Sequence, residues 1–175
     1  MKIFINAGHG GTDPGAVSRN KIKEADIAKN IAKLICAKLK ANSIEYEFYQ
    51  QKKHYFEISK KENESNSDLF ISIHCNSAVN PNACGTETLY CLNSLKGKKF
   101  AEITQAKLIA KTGLLNRGIK PRNDIHVLNR TKSPAILIEL AFLSNYNEEK
   151  MLVNQPEIFA CAILDAIKEW NKITG

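Results

Sequence analysis

Four side chains suited to metal or proton chemistry stand at telling places in this 175-residue chain. They are His9, Glu24, His74 and Glu139. His9 lies in "INAGHGGTDPGA", a stretch with four glycines that follows the apolar run Ile3-Phe4-Ile5. His74 follows "LFISI", and Glu139 sits inside "AILIEL". A carboxylate in so apolar a run is costly unless it is paired, protonated or metal-bound. An ion pair with Arg117 or Arg122 is one way to satisfy it. Two histidines and one carboxylate are also the ligand set of a catalytic zinc that keeps a fourth position for water. Hydrolysis of an amide is the usual work of such a site, and it needs a further carboxylate as base. Glu24, at the start of the first long helix, is well placed to supply it. A phosphate-cradling role for the glycine loop fits poorly. Asp13 stands where a dinucleotide fingerprint needs its third glycine, Pro14 follows, and no helix begins there.

These residues need a scaffold that brings them together, and the apolar patterning supplies one. Lys2–Ala7 reads as a buried strand. Glu24–Lys40 reads as a helix, with Ile27, Ile31, Leu34, Ile35 and Leu39 at helical spacing. Residues 44–49 alternate like a strand. A helix is expected from Tyr55 to near Asp68, followed by the strand Leu69–Ile73. "GTETLYCL" is a further strand, and Lys98–Leu115 a further helix. The segment "RGIKPRNDIHVLNRTKSP" reads as loop, with one short strand at Ile125–Leu128. Ala135–Leu140 is another buried strand, and Pro156–Ile173 a closing helix with proline in its first turn. Apolar strands alternating with helices imply an α/β fold: a single domain, residues 1–175, with a mostly parallel sheet and helices on both faces. In such sheets ligands bind beyond the carboxyl ends of the strands. His9, His74 and Glu139 are thus expected at one edge.

Composition narrows the setting. Hydrophobic residues are 43% and charged residues 25%, ordinary for a globular chain. The net charge of +7 favours anionic surroundings: nucleic acid, an anionic membrane or an anionic cell-wall polymer. The basic residues are spread out, as in "KNIAKLICAKLK", which also suits solvated helix faces. Five cysteines, with no CxxC pair, signal neither a disulfide framework nor a cysteine metal site. Free thiols and the absence of a leader-like segment point to synthesis in the cytoplasm. The same features fit a domain excised from a larger protein.

Several motifs, in this order, resemble a family. They are "GHGGTDPGA", "KEADIA", "DLFISIHCNS", "GTET" and the long segment from Arg117 to Asn145. Together they are similar to the zinc-dependent N-acetylmuramoyl-L-alanine amidases of the type 3 group, over nearly the whole chain. These enzymes cleave the amide between the lactyl group of muramic acid and the first alanine of the peptidoglycan stem. The resemblance implies a twisted, mostly parallel sheet of about six strands. It implies that His9, Glu24 and His74 hold Zn2+ and that Glu139 is the catalytic acid/base, which exchanges the roles of the two glutamates. On that reading Glu139 takes the proton of a zinc-activated water and later delivers it to the leaving amine. Its apolar strand would raise its pKa. Asn76 is a candidate for a hydrogen bond to substrate or to a neighbouring group, or a turn residue.

Two departures stand out. Asn6 occupies a position that is often acidic in the family, and residues 58–60 carry no arginine where one recurs. His54 and His126 match no ligand position and read as surface or structural. The expected partner is peptidoglycan, with no nucleic acid, no membrane insertion and a monomeric state. Endolysin, autolysin and sporulation roles all fit the resemblance. A zinc peptidase or carboxypeptidase of similar fold is one competing reading, and a non-catalytic wall-binding domain is another. Retention of all four candidate residues argues against the latter.

Overall fold

A computed structural model describes residues 1–52 and 54–174. The chain runs β1 (Lys2–Ala7), α1 (Glu24–Ala41), β2 (Glu45–Gln50), α2 (Phe56–Ser65), β3 (Leu69–Asn76), β4 (Thr86–Cys91), α3 (Leu95–Thr112), β5 (Asn116–Arg122), α4 (His126–Asn129), β6 (Ala135–Phe142), α5 (Tyr146–Asn154) and α6 (Pro156–Thr174). One six-stranded sheet has the order β2-β1-β3-β6-β4-β5. Neighbours are parallel except β4 against β6, which run antiparallel. Four strands therefore finish at the edge where β4 and β5 start. This is the expected α/β architecture, with helices on both faces.

The two faces differ in depth. Successive strand residues point to opposite sides. Ile3, Ile5, Ile71, Ile73, Ile136 and Ile138 face the larger core, where α1, α3 and α6 cover them. Each such fully buried side chain contributes about 1.5–3 kcal/mol relative to exposure. Phe4, Phe70, Leu89 and Leu137 face a smaller cluster closed by Ile58 of α2 and by Val127 and Leu128 of α4. The thinner cover of this second face leaves room beside the sheet edge.

Three expectations from the patterning need correction. The segment after Arg117 is not loop. Asn116–Arg122 forms β5, and Ile125–Leu128 leads into the short helix α4 instead of making a strand. Gly118, at φ +80°, and Pro121 obscure the alternation. An edge strand tolerates both, because one side of its backbone needs no partner. Helix α5 was not expected. Asn145 caps it by accepting hydrogen bonds from the Asn147 and Glu148 amides. Finally, β3 and β6 run on through Asn76 and Phe142, so His74 lies within its strand and not beyond it, in register with Glu139 of β6. The core pairing of these strands extends the ladder past the purely apolar run.

Candidate active site and metal centre

Backbone shape brings the first histidine into position. β1 ends at Ala7, and His9, Gly10 and Gly11 then adopt positive φ of +59°, +135° and +60°. This tight reversal carries the chain back over the edge. The returning segment is pinned where the Glu24 amide donates to the Ala16 carbonyl and the Ala25 amide to the Pro14 carbonyl. Two glycines make space for the side chains that gather there. A Cβ on Gly8 would fall 2.2 Å from the His74 ring. One on Gly15 would fall 2.6 Å from the His9 ring and 2.7 Å from Glu24 Oε2.

Three donors converge. His9 Nε2 lies 3.2 Å, and His74 Nδ1 3.0 Å, from the same Glu24 Oε1. One ligand atom from each residue falls within a mutual 4.8 Å. His9 Nδ1 stands 2.9 Å from Asp13 Oδ2. As an acceptor, Asp13 requires the hydrogen on Nδ1 and leaves Nε2 to face the centre. The Glu24 carboxylate is held from behind by the Cys75 amide at 3.0 Å and the Ala16 amide at 2.9 Å.

Charge follows from this packing. Burial by itself would lower the His9 pKa, but Glu24 and Asp13 outweigh it and raise it to about 9. Burial would raise the Glu24 pKa, but hydrogen bonds from His74 and His9 outweigh it and hold the carboxyl far below its usual range. Two imidazoles and a carboxylate with this convergence suit a dication, so the group is a candidate metal centre.

Glu139 is placed differently. It pairs in register with His74 on one side and with Glu87 on the other. Its Oε2 is buried and has no hydrogen-bond partner. Burial, reinforced by the Glu24 and Glu87 charges, pushes its pKa up to about 7. The arginines weighed as its partners are engaged elsewhere. Arg117 Nε binds Glu87 Oε2 at 2.8 Å, and Arg122 binds Asp124 at 2.6 Å. Lys120 Nζ also binds Glu87 Oε2, at 2.6 Å, and Asn76 Nδ2 binds its Oε1 at 3.1 Å. Asn76 thus supports Glu87, and its own Oδ1 accepts the Ser77 amide as the chain leaves β3.

The remaining sequence candidates also find places. Asn6 is fully buried, accepts from Ser72 and donates to the Tyr49 carbonyl. Its amide thus makes a neutral hydrogen-bond bridge across the strands, where an acid would need a cation. Ile58 of α2, in the 58–60 segment without an arginine, is buried. His54 is exposed. His126 is bonded to Ser59 Oγ at 2.9 Å and lines a groove of about 370 Å³ that opens onto His9 and His74. Two contributors escaped the sequence reading. Asp13 was legible as an acid four residues after His9, and Glu87 as the residue of "GTET" that shares a strand face with Leu89.

Residues 3–169 match the family described as N-acetylmuramoyl-L-alanine amidase. The chain belongs to that family. It is 32% identical over 155 residues to N-acetylmuramoyl-L-alanine amidase LytC of Bacillus subtilis, covering 86% of this chain and 31% of LytC. It is also 32% identical over 170 residues to "Probable cell wall amidase LytH" of Staphylococcus aureus, covering 95% of this chain and 57% of LytH. The chain therefore spans about a third to somewhat over half the length of these two curated relatives. Among solved structures, the N-acetylmuramoyl-L-alanine amidase of Clostridium difficile 630 superposes with TM-score 0.91 at 29% identity, covering 99% of this chain and 98% of that one. The catalytic domain of CwlV, an N-acetylmuramoyl-L-alanine amidase from Bacillus (Paenibacillus) polymyxa, gives 0.89 at 30% identity, with 99% of each chain covered. The match over nearly the whole length of these solved structures accords with the six-stranded fold.

Proposed function

We propose that this chain is a zinc-dependent N-acetylmuramoyl-L-alanine amidase that acts on bacterial peptidoglycan as a single catalytic domain. His9, Glu24 and His74 hold the metal, and Glu139 is the acid/base. The observation that carries this reading is the convergence of the three donors beside a buried carboxylate with an unpartnered oxygen. Zinc, when bound, supplies Lewis acidity, lowering the pKa of water and polarising a carbonyl.

The side chains do the rest. Asp13 fixes the His9 ring so that Nε2 faces the centre. Glu139 takes a proton from the attacking water as the new C–O bond forms at the lactyl carbonyl. It then gives that proton to the alanine nitrogen as the C–N bond breaks, and the amine leaves neutral. A carboxyl raised to about 7 suits both halves of this transfer. Glu87 is ionised by its two cations and is not available as a shuttle.

The test is product analysis on purified muropeptides, with metal content measured in parallel. Release of lactyl-muramic saccharide together with a peptide bearing a free alanine amine supports the amidase. A cut between two amino acids would identify a peptidase, and a zinc-free, inactive protein that zinc does not revive would remove the metal centre from the mechanism.

A further inference from the structure

The sheet order ranks the groups around the centre along a line: His9 follows β1, His74 lies on β3, Glu139 on β6, Glu87 on β4, and Arg117, Lys120 and Arg122 on β5. Two regions bordering that line differ in chemistry: the groove between α2 and α4, and the outer strands β4 and β5. The 370 Å³ groove lies between α2 and α4 on the sheet face that carries His74, reaching from His9 and His74 to residues 124–127, over an apolar floor of Ile58, Val127 and Leu137. Tyr55 stands at its rim, 57% exposed and edge-on to His126 at 5.0 Å. The other polar lining includes Asp13, Gln51 and Asp124, and among the described residues no lysine or arginine lines it. An aromatic face beside carboxylates and an amide suits a neutral ligand with one apolar face and many hydroxyls, which is a sugar ring. It does not suit an anionic peptide. On the far side, Arg117, Lys120 and Arg122 present three cations whose side chains are 33%, 43% and 41% exposed. Glu87 neutralises only part of that charge, and Asp124 partners Arg122.

Reaction geometry gives the same sense independently. The proton must reach the nitrogen of the leaving amine, and Glu139 lies between the histidines and β4. The carbonyl half of the scissile amide therefore belongs over the histidines, and the amine half over β6 and β4.

From these two observations, and resting on the amidase reading, we propose that substrate binds in one direction across the sheet edge. The muramoyl sugar occupies the α2–α4 groove with its ring on Tyr55. The stem peptide leaves over β4 and β5, where a peptide carboxylate meets Lys120 and its neighbouring arginines. Tyr55 and Lys120 are then specificity determinants for the two halves of one substrate.

The experiment crosses two variants with four soluble substrates. The substrates are N-acetylmuramoyl-L-alanyl and lactoyl-L-alanyl peptides, each with the second residue carrying either a free carboxylate or its amide. Tyr55→Ala should raise KM about 3–10-fold on both sugar-bearing substrates and leave the lactoyl pair unchanged. Lys120→Ala should raise KM about 2–5-fold on both carboxylate-bearing substrates and leave the amides unchanged. Arg117 and Asn76 still hold Glu87 in that variant, so kcat should stay near the parent value. Tyr55→Phe and Lys120→Arg should restore the parent pattern. Penalties that swap between the halves, or that fall equally on all four substrates, overturn the orientation while leaving the amidase standing. A parent protein that frees no alanine amine from any of the four overturns both.

Discussion

Glu139 and Glu87 face each other across β6 and β4, on the same side of the sheet, yet their surroundings treat them as opposites. Glu87 is saturated: two cations share one oxygen and an amide holds the other. Its pKa is lowered because Lys120 and Arg117 outweigh burial. Glu139 is starved, with burial raising its pKa and one oxygen without a partner. A protein that needed only a stable edge would have paired both. Keeping one carboxylate unpaired beside a convergent donor set leaves a carboxyl that can gain or lose a proton near neutral pH, and the cost in stability is borne locally.

The sharpest way to break this contrast is Glu139→Gln. Amide release from muropeptides should fall by about 10²–10⁴-fold, the scale of a lost acid/base. Thermal unfolding should show no loss of stability, since a buried unpaired carboxyl has been replaced by a neutral amide. Activity within about 3-fold of the parent would remove Glu139 from the proton transfer.

The metal side gives the next largest effect. Asp13→Ala frees the His9 ring, and zinc affinity measured by competition with a chelator should weaken by about 10–100-fold. Unchanged affinity would show that the loop alone orients the ring. Glu87→Gln should then behave as the inverse of Glu139→Gln. It removes the charge that binds Arg117 and Lys120, so chemical denaturation should report a loss of about 1–3 kcal/mol. If the two glutamine variants shift stability in the same direction, the contrast between the carboxylates is wrong.

The smallest effect is in pH. In metal-free protein, Glu139 and His9 both bind protons more tightly when folded. The Glu139 term is lost as pH rises from 4.5 through about 7, and the His9 term as it rises from 6.5 through about 9. Glu24 acts in the opposite sense, its depressed pKa adding stability above 4.5 that is lost on acidification. Melting temperatures of chelator-treated protein should therefore peak near pH 4.5 and decline toward pH 9, first through Glu139 and then through His9. Added zinc should reverse the alkaline decline, because it requires the imidazoles unprotonated. A flat alkaline limb without metal would contradict the raised His9 pKa.

Much of this was legible in the sequence because the site is built at the ends of buried parallel strands. An apolar run that stops at His9, or that carries a lone carboxylate as at Glu139, announces both the strand and the exception. Glu24 was legible as the first residue of an amphipathic helix. What stayed hidden depends on partners remote in sequence. No local pattern shows that Arg117 serves Glu87 and leaves Glu139 bare, since that choice is made by β5 pairing with β4. Strand β5 itself was masked by Gly118 and Pro121, and α5 by its modest apolar face, though its cap at Asn145 was visible. The groove beside the histidines needs α2 and α4 to meet over the sheet, and both are short.

The reversed direction of β4 has a consequence for how such an enzyme diversifies. The connection from β3 to β4, residues 77–85, leaves the sheet at the catalytic edge and re-enters it at the same edge. Its ends are anchored where the Ala78 amide meets Ser144 and the Gly85 amide meets Glu148, while Val79 at its crest is fully exposed. Insertions there lengthen a loop whose closure entropy grows only slowly with length, and they touch neither core. The segment is a natural graft point, where new recognition can be added over the chemistry without re-engineering the scaffold that performs it.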